Sequence, residues 1–327
     1  MPELTVAIER WPIAGGFTIA RGTRTEAVVV VATLTDGAIV GRGEAVPYAR
    51  YGETVDGVVA DIEGLRAHLA AGLDRRAVHD RMPAGAARNA LDAALWDLEA
   101  KRTGRRVWDL AGVAPPPAAL VTAETLSIAA PEAMAEKARA LADRPLLKVK
   151  VGAEDPLARI AAVRAGAPES ALIVDANEAW TPDQLRALLP ELARLRVDLL
   201  EQPLPADRDG ALAGLESPVT LCADESAHVS ADVPRLAALY GAVNVKLDKT
   251  GGLTEALDMV AAARAHGLRV MVGCMVGTSL AMAPATVVAG AADFVDLDGP
   301  VLLARDRDPG IAYHRGRMEP PPAALWG

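Results

Sequence analysis

The segment LLKVK at residues 146–150 is a short apolar run that ends on a lysine, and segments of this kind recur along the chain. Their ends are separated by 25, 25, 26, 23, 22, 28 and 22 residues, at Thr125, Lys150, Asp175, Glu201, Asp224, Lys246, Cys274 and Asp296. One strand, one helix and two turns need about that many residues, so the period predicts consecutive βα units. Eight such units close into a barrel whose active site lies at the carboxyl ends of the strands.

The residues before the first of these units follow a different pattern. Residues 25–47 read TEAVVVVATLTDGAIVGRGEAVP, which predicts an antiparallel meander with a turn at Asp36-Gly37. Two helices are expected around residues 55–71 and 85–103, and in the second the apolar residues recur at intervals of three and four. This part of the chain therefore predicts a smaller α+β domain beside the barrel.

Two further features predict where the barrel begins and ends. The proline-rich stretch at 113–120 is typical of a linker, and no helical pattern follows Asp298, where the chain turns at Gly299-Pro300. We therefore predict a (β/α)7β TIM-like barrel with an α+β capping domain. We expect a capping domain at residues 1–118, the barrel at residues 119–299 and a segment that returns to the cap at residues 300–327.

The composition limits the classes of partner. The net charge of -9 leaves no basic surplus with which to neutralise phosphates, so nucleic acid is not expected as a partner. The two cysteines, Cys222 and Cys274, are typical of a protein without disulfides in a reducing compartment. No apolar stretch is long enough to span a membrane and none resembles a signal peptide, so we expect a soluble, cytoplasmic protein.

Lys148 and Lys150 lie two residues apart in a predicted strand and so point to the same side of it. Two lysines side by side in a barrel mouth repel each other and are partly desolvated, and both effects lower a lysine pKa. A lysine that is neutral near pH 7 can serve as a general base. Both lysines are therefore candidate catalytic residues.

Asp175, Glu201 and Asp224 end three successive predicted strands, so their side chains are expected to converge above the barrel. Carboxylates this close repel one another unless a cation lies between them. A single acidic residue at a strand end can also cap the next helix, and that alternative stays open for each residue taken alone. Ligands that are all oxygen favour Mg²⁺, with Mn²⁺ second, over zinc. The three residues are thus predicted to bind Mg²⁺.

Lys246 ends the sixth predicted strand and is expected across the barrel from Lys150, so a bound substrate would have a lysine on each face. Lys249 follows three residues later, where we expect it to leave the inward face and lie in a loop. Lys246 is therefore preferred over Lys249 as the second acid or base.

Together these residues resemble the enolase superfamily, in which a lysine or histidine base acts with Mg²⁺ on an ene-diolate. The resemblance is carried by the meander, the Lys148-x-Lys150 pair, Lys246 and the segments DAN, EQP and DES, which begin at Asp175, Glu201 and Asp224. The presence of lysines on both the second and the sixth strand resembles the pattern of the muconate-lactonizing-enzyme-like subgroup. This resemblance implies an isomerase in which Lys150 and Lys246 act on one carbon of the substrate from opposite faces and transfer its proton.

The last strand end, DFVDLD, resembles that of the dipeptide-epimerase branch of the superfamily. In this branch the pair formed by Asp296 and Asp298 is expected to bind the α-ammonium of a dipeptide. Lys148 is expected to contact the substrate carboxylate. The resemblance extends to the L-Ala-D/L-Glu epimerases, and it implies a place in the recycling of murein peptides.

An arginine on the first cap loop of that branch is expected to pair with the side chain of a C-terminal glutamate. Arg24 matches this position, and Arg21 and Arg50 are close competitors. Thr125 and Cys274 are expected to line the substrate pocket without taking part in the chemistry. A cysteine without a histidine base nearby is a poor candidate for a nucleophile.

Two alternatives remain open from the sequence. N-succinylamino-acid racemase, o-succinylbenzoate synthase and muconate cycloisomerase use the same chemistry, but their substrates lack the ammonium that gives Asp296 and Asp298 a role. A barrel that binds a dipeptide without turnover is the second alternative, although a binding protein has no use for opposed bases. The oligomeric state is not set by the sequence, and a homo-oligomer is compatible with it.

Overall fold

The computed structural model describes residues 2–327 and begins with a three-stranded antiparallel sheet. Its strands follow one another in chain order: β1 (Glu3–Ile19), β2 (Gly22–Asp36) and β3 (Ile39–Ala45). Asp36 pairs with Ile39, so a two-residue turn joins β2 to β3, and Gly37 in that turn has a φ of 61°. Glycine adopts this left-handed conformation without strain. The predicted meander and the position of its turn are confirmed.

Five helices follow the sheet: α1 (Val55–Gly64), α2 (Arg66–Ala70), α3 (Arg75–Arg81), α4 (Ala86–Thr103) and α5 (Val107–Ala111). The helix expected over 55–71 is thus divided after Gly64 into α1 and α2. The longest helix, α4, packs directly on β3. A Cβ at Gly43 would lie 2.1 Å from Ala90 O, so only a residue without a side chain permits this close approach.

The barrel follows a short strand, β4 (Leu120–Val121), and consists of eight parallel strands in one sheet. They are β5 (Glu124–Leu126), β6 (Leu146–Lys150), β7 (Ala171–Asp175), β8 (Leu199–Glu201), β9 (Thr220–Ala223), β10 (Ala242–Val245), β11 (Arg269–Gly273) and β12 (Phe294–Asp296). Each strand pairs with the next in the chain, and Ala123 N donates to Val295 O at 2.8 Å, which links the two ends of the sheet. The predicted TIM-like barrel is confirmed.

Helices accompany most of the connections: α6 (Pro131–Ala140), α7 (Pro156–Gly166), α8 (Pro182–Arg194), α9 (Val233–Leu236), α10 (Leu247–Thr250), α11 (Leu253–Ala265) and α12 (Ser279–Ala289). A 3₁₀ stretch at Ala206–Leu212 takes the place of a helix between β8 and β9. After β12 the described residues contain a 3₁₀ turn at Gly299–Leu302 and the short strand β13 (Arg317–Met318), but no eighth barrel helix. Within residues 2–327, no helix is long and apolar enough to cross a membrane.

The barrel strands alternate between two apolar environments. Leu147 and Val149 point outward into the main core under the helices, as the alternation in LLKVK predicts. The inward positions form a separate apolar cluster, which we call the barrel floor: Ala123, Leu146, Ile173, Leu199, Cys222, Ala242, Met271 and Phe294. The next inward position on each strand comes two residues later. The polar residues at the strand ends therefore lie directly on this floor.

Buried polar contacts fix the cap to the barrel. Asp92 in α4 accepts hydrogen bonds from the N–H and the hydroxyl of Thr254, at 3.1 and 2.5 Å. Asp248 Oδ1 in α10 accepts from Asn89 Nδ2 at 2.9 Å and from the Val46 N–H at 3.0 Å. Breaking such bonds would leave buried polar groups unpaired, so the cap is held in a defined position above the barrel.

The C-terminal residues lie against the cap helix α4. Trp326 Nε1 donates to Ala93 O at 3.1 Å, and the Gly327 N–H donates to Asp97 Oδ1 at 2.7 Å. The Trp326 side chain is almost completely buried. The end of the chain therefore forms part of the same core as α4.

Gly43→Ala is expected to destabilise the protein, because the new Cβ would lie 2.1 Å from Ala90 O and 2.7 Å from Ala94 N. Overpacking typically lowers the free energy of unfolding by about 1–3 kcal/mol. Because the atoms in the way belong to the backbone and cannot turn aside, we expect a loss near the upper end of that range, measured by urea unfolding. Gly210→Ala is the control, since nothing lies within 4 Å of a Cβ there. Equal stability of Gly43→Ala and the wild type would contradict the packing of β3 on α4.

Candidate active site

The cap and the carboxyl ends of the barrel strands together line a cavity, whose empty space of about 710 Å³ includes the solvent at its opening. The barrel side of the cavity contains most of the residues singled out in the sequence: Thr125, Lys148, Lys150, Asp224, Lys246, Cys274, Asp296 and Asp298. The cap side is formed by Phe17, Ile19, Arg21, Arg24, Tyr48 and Tyr51. The structure thus brings the strand ends and the first cap loops together.

Asp175, Glu201 and Asp224, here called the carboxylate triad, lie together on the barrel floor. One oxygen from each lies within 4.8 Å of the others, and all three side chains are buried. Strand register brings them together, because Asp175 pairs with Glu201 and Glu201 pairs with Cys222, two residues before Asp224. A small, hard cation fits this all-oxygen donor set, and its charge would offset the repulsion between the acids.

Lys148 lies among these acids. Its Nζ is 2.7 Å from Glu201 Oε2, 3.2 Å from Asp175 Oδ2 and 2.7 Å from Asp296 Oδ2. The residue is 1% exposed, so water contributes little to the solvation of its ammonium. The carboxylates around it take the place of water as partners of this buried charge.

Lys150 and Lys246 contact different members of the triad. Lys150 Nζ donates to Asp175 Oδ2 at 2.5 Å, and Lys246 Nζ donates to Asp224 Oδ2 at 2.7 Å. Their strands, β6 and β10, are four positions apart in the eight-stranded order, which is half way around the barrel. The two lysines therefore enter the cavity from opposite sides.

The expectation that crowding lowers the pKa of the paired lysines on β6 is wrong for Lys148, and Lys246, directly after β10, behaves in the same way as Lys148. Burial does lower the pKa of both, but the nearby carboxylates raise it well above its usual range, led by Asp296 for Lys148 and by Asp224 for Lys246. The sequence reveals the spacing of the lysines but not how closely the acids approach them. Burial, followed by the charge of Asp175, raises the pKa of Glu201 to about 7.

Lys249 does not lie in a loop away from the site, as the sequence suggested. The short helix α10 begins at Leu247 and turns Lys249 back into the barrel, where the side chain is 1% exposed. Its Nζ donates to Asp224 Oδ1 at 2.6 Å. The prediction was wrong because it assumed that the strand continues past Lys246. In a helix, residues three apart lie on the same side, so Lys249 faces the barrel as Lys246 does.

Two polar residues without an assigned role in the sequence hold the triad in place. Asn244 Nδ2 donates to Glu201 Oε1 at 2.8 Å, and Gln202 Oε1 accepts the Asp224 N–H at 2.8 Å. The sequence contains a signal for Asn244, which lies two residues before Lys246 and on the same side of the strand. The contact of Gln202 depends on its φ of 33° at the end of β8, which spacing does not reveal.

Asp296 and Asp298 lie side by side in the cavity wall. Asp296 Oδ2 accepts from Lys148 at 2.7 Å, while its Oδ1 has no hydrogen-bond partner in the described part of the chain. Asp298 Oδ2 accepts the Thr125 N–H at 2.7 Å. Burial, followed by the charge of Asp296, raises the pKa of Asp298 to about 7. The pair can therefore accept a hydrogen-bond donor from a ligand.

Of the three candidate arginines, two already bind carboxylates. Arg50 Nη2 lies 2.8 Å from Glu178 Oε1, and Arg21 Nη2 lies 2.9 Å from Glu225 Oε1. Arg24 stacks over the Tyr48 ring at 4.7 Å. Over residues 2–327, no carboxylate lies within ion-pair distance of Arg24, so its guanidinium is free to bind an anionic ligand in the cavity.

Cys274 also borders the cavity, between the end of β11 and the aspartate pair. Burial and the neighbouring charges of Asp296 and Asp298 raise the pKa of its thiol well above the usual range. A thiol that stays protonated is a poor nucleophile, so a contact role agrees with this environment.

Two family models together cover most of the chain. The mandelate racemase / muconate lactonizing enzyme N-terminal domain matches residues 1–112, and the enolase C-terminal domain-like model matches residues 133–324. The chain belongs to the mandelate racemase / muconate lactonizing enzyme family. The predicted enolase superfamily is therefore confirmed.

Curated relatives in this family are epimerases and racemases. The L-Ala-D/L-Glu epimerase of Escherichia coli (strain K12) is 45% identical over 320 residues, which cover 97% of this chain and 99% of the relative. The N-acetyl-D-glutamate racemase of a Pseudoalteromonas species is 44% identical over 301 residues, which cover 91% and 95%, respectively. The prediction that the chain is an enzyme of the isomerase class is confirmed.

Solved structures of the same family match over the full length. The crystal structure of an enolase family member from Agrobacterium tumefaciens, with homology to dipeptide epimerases, has 52% identity and a TM-score of 0.98 over 100% of both chains. That structure contains sodium and L-Ala-L-Glu. A dipeptide epimerase from Enterococcus faecalis, complexed with Mg and L-Leu-L-Tyr, has 28% identity and a TM-score of 0.91, covering 99% of this chain and 98% of that one.

Mg²⁺ is expected to raise the midpoint of thermal unfolding of this family member, because a cation bound by the triad stabilises only the folded state. Glu201→Gln should lose most of that increase, since it removes one of the three buried carboxylates. The control is Asp92→Asn, which removes a buried carboxylate at the contact between cap and barrel. This variant should start from a lower midpoint yet keep the increase. An undiminished effect of Mg²⁺ on Glu201→Gln would contradict the proposed metal site.

Proposed function

We propose that the chain is a Mg²⁺-dependent dipeptide epimerase whose substrates are L-Ala-L-Glu and L-Ala-D-Glu. The reaction inverts the α-carbon of the C-terminal residue by a transfer of its proton. The observation that carries this proposal is the position of Lys150 and Lys246 on opposite sides of the barrel, with the carboxylate triad between them. A barrel that only bound a peptide would have no use for two opposed lysines.

The residues of the chain divide the work of this transfer. Lys150 removes the α-proton from one face of the substrate, and Lys246 delivers a proton to the other face. The triad would hold Mg²⁺, which supplies positive charge to a substrate carboxylate when bound. Lys148, beside the same acids, offers a second positive charge to that carboxylate. Each lysine acts as base for one enantiomer and as acid for the other.

The two ends of the substrate are recognised by opposite charges. The free oxygen of Asp296 and the carboxylate of Asp298 accept the α-ammonium of the dipeptide, next to Thr125 and Cys274 in the cavity wall. Arg24 pairs with the side-chain carboxylate of the C-terminal glutamate, and of the three candidate arginines it is the one without a carboxylate partner among the described residues. Arg21 and Arg50 are already engaged by glutamates of the barrel.

The relatives support this substrate and also suggest a second one. The Escherichia coli relative is an L-Ala-D/L-Glu epimerase, and the Agrobacterium structure contains L-Ala-L-Glu. The Pseudoalteromonas relative is an N-acetyl-D-glutamate racemase with nearly the same identity. N-acetylglutamate shares the α-carbon, the amide and both carboxylates with the dipeptide but lacks the ammonium. The racemisation of N-acetylglutamate is therefore the second candidate function.

Single substitutions of the two lysines test the proton transfer. Lys150→Ala and Lys246→Ala should each abolish epimerisation in Mg²⁺, because inversion needs both groups. Each variant should still exchange the α-proton of one enantiomer with D₂O, and the two variants should act on opposite enantiomers, as measured by mass spectrometry. Exchange of both enantiomers by one variant would replace this scheme with a one-base mechanism.

Substrate choice separates the two candidate functions. The wild type should process L-Ala-L-Glu with a higher kcat/KM than N-acetyl-D-glutamate. Asp298→Asn should lower kcat/KM for the dipeptide by about two orders of magnitude, the usual effect of removing one partner of a charge pair in a closed site, and should affect N-acetyl-D-glutamate much less. If N-acetyl-D-glutamate is the better substrate of the wild type, the second candidate replaces the first.

The pocket for the glutamate side chain is tested by Arg24→Ala. Turnover of L-Ala-L-Glu should fall far more than that of L-Ala-L-Leu, because only the former has a side-chain carboxylate for the guanidinium to bind. Arg50→Ala is the matched control, since Arg50 is paired with Glu178. Equal loss of both dipeptides in Arg24→Ala would assign the recognition of glutamate to another residue.

The same proposal includes the metal, the location, the pathway and the domain division of the enzyme. We expect Mn²⁺ to replace Mg²⁺, a cytoplasmic location, and use of the reaction in the recycling of murein peptides. We also propose the division of the chain into a cap at 1–118, a barrel at 119–299 and a returning segment at 300–327. Gly327 donates a hydrogen bond to Asp97 in the cap helix α4, and this contact supports a segment that returns to the cap. A homo-oligomer is compatible with all of these points.

A further inference from the structure

Lys249 is a buried lysine that the proposed reaction does not use. It does not border the cavity, so it does not touch a substrate there. Its Nζ donates to Asp224 Oδ1 at 2.6 Å, to Asp224 O at 2.5 Å and to Asn244 O at 3.0 Å. An ammonium has three N–H donors and all three partners are acceptors, so the environment is complete for a charged lysine.

These contacts determine the orientation of Asp224. Lys249 binds both the backbone oxygen and Oδ1 of this residue, which fixes the torsion angles of its side chain. Gln202 Oε1 accepts the Asp224 N–H at 2.8 Å and so fixes the other side of the backbone. Oδ2 is left to face the cavity, where it accepts from Lys246 at 2.7 Å. One oxygen of Asp224 is thus reserved for the protein and the other for the site.

Lys249 also contributes to the charge around the triad. Its ammonium is one of four that contact the three carboxylates, beside those of Lys148, Lys150 and Lys246. Unlike the other three lysines, Lys249 does not border the cavity. An apolar residue here would leave the buried acceptors Asp224 Oδ1, Asp224 O and Asn244 O without this donor, which destabilises the fold, so Lys249→Arg is needed beside any apolar variant.

We propose that Lys249 is a positioning residue that presents a single oxygen of Asp224 to the site and contributes one positive charge to the surroundings of the triad. The proposal rests on the proposed function, since it concerns the proton transfer by Lys246. Without Lys249, both oxygens of Asp224 can turn to Lys246. The ammonium of Lys246 would then be held against Asp224 and away from the substrate, whereas Lys150 on the far side of the barrel would be affected less.

Lys249→Met tests the effect on Lys246. We expect α-proton exchange in D₂O to fall at least about tenfold more for the enantiomer processed by Lys246 than for the one processed by Lys150, since bonds to charged groups are worth that much. The Lys150→Ala and Lys246→Ala variants identify which enantiomer is which. Lys249→Arg keeps the charge and should restore part of the lost exchange. Equal loss for both enantiomers would overturn the positioning role.

A metal titration tests the charge and needs no turnover. The affinities of the metal-free protein for Mn²⁺ and for Tb³⁺ should shift in Lys249→Met so that their ratio favours Tb³⁺ by about tenfold or more, because the additional negative charge acts on a third positive charge. Lys249→Arg should keep the wild-type ratio. Lys101→Met, which removes a lysine paired with Asp97 in the cap, should keep it too. An unchanged ratio in Lys249→Met would overturn the contribution of Lys249 to the charge around the triad.

The two tests separate the failure of this inference from that of the proposed function. If the wild type exchanges the α-proton of no dipeptide, the epimerase proposal fails, while the ratio of Mn²⁺ to Tb³⁺ affinity still decides whether Lys249 contributes to the charge around the triad. If the wild type is an epimerase and neither the exchange ratio nor the affinity ratio changes in Lys249→Met, the function stands and the role of Lys249 is refuted.

Discussion

The closeness of three buried carboxylates is the constraint on which the rest of this site depends. One oxygen from each lies within 4.8 Å of the others and all three side chains are buried, so each carboxylate needs a positive partner or a hydrogen-bond donor. Lys148, Lys150, Lys246 and Lys249 all point to these acids, and Asn244 donates to one of them. The positions of the lysines that we assign to catalysis are therefore set by the acids between them.

The segment after β10 connects this site to the cap. Within four residues it contains Lys246 at the cavity, Asp248 and Lys249. Asp248 accepts the Val46 N–H and so fixes the cap, whereas Lys249 binds Asp224 on the opposite side. A single turn of helix thus contacts both the cap above the cavity and a carboxylate beneath it. These two contacts account for the burial of both a lysine and an acid in so short a helix.

The fold and the composition of the site could be predicted from the sequence because both depend on a period. Strand ends recur at nearly constant spacing, and closure of the barrel then brings them to one place, as it does for Lys150 and Lys246. Features that depend on local departures from this period were not predictable. Lys249 is turned inward by a short helix, and Gln202 makes its contact through a positive φ. The direction of the pKa shift of Lys148 was predicted wrongly, because it depends on distances to acids from distant parts of the chain.

The most direct test of the central claim is a crystal structure of the enzyme with Mg²⁺ and L-Ala-L-Glu. The account predicts a cation bound by oxygens of Asp175, Glu201 and Asp224. It also predicts that Lys150 and Lys246 lie on opposite faces of the glutamate α-carbon, each within about 3.5 Å, the reach needed for proton transfer. A structure with both lysines on the same face of that carbon, or with the dipeptide bound away from the triad, would contradict it.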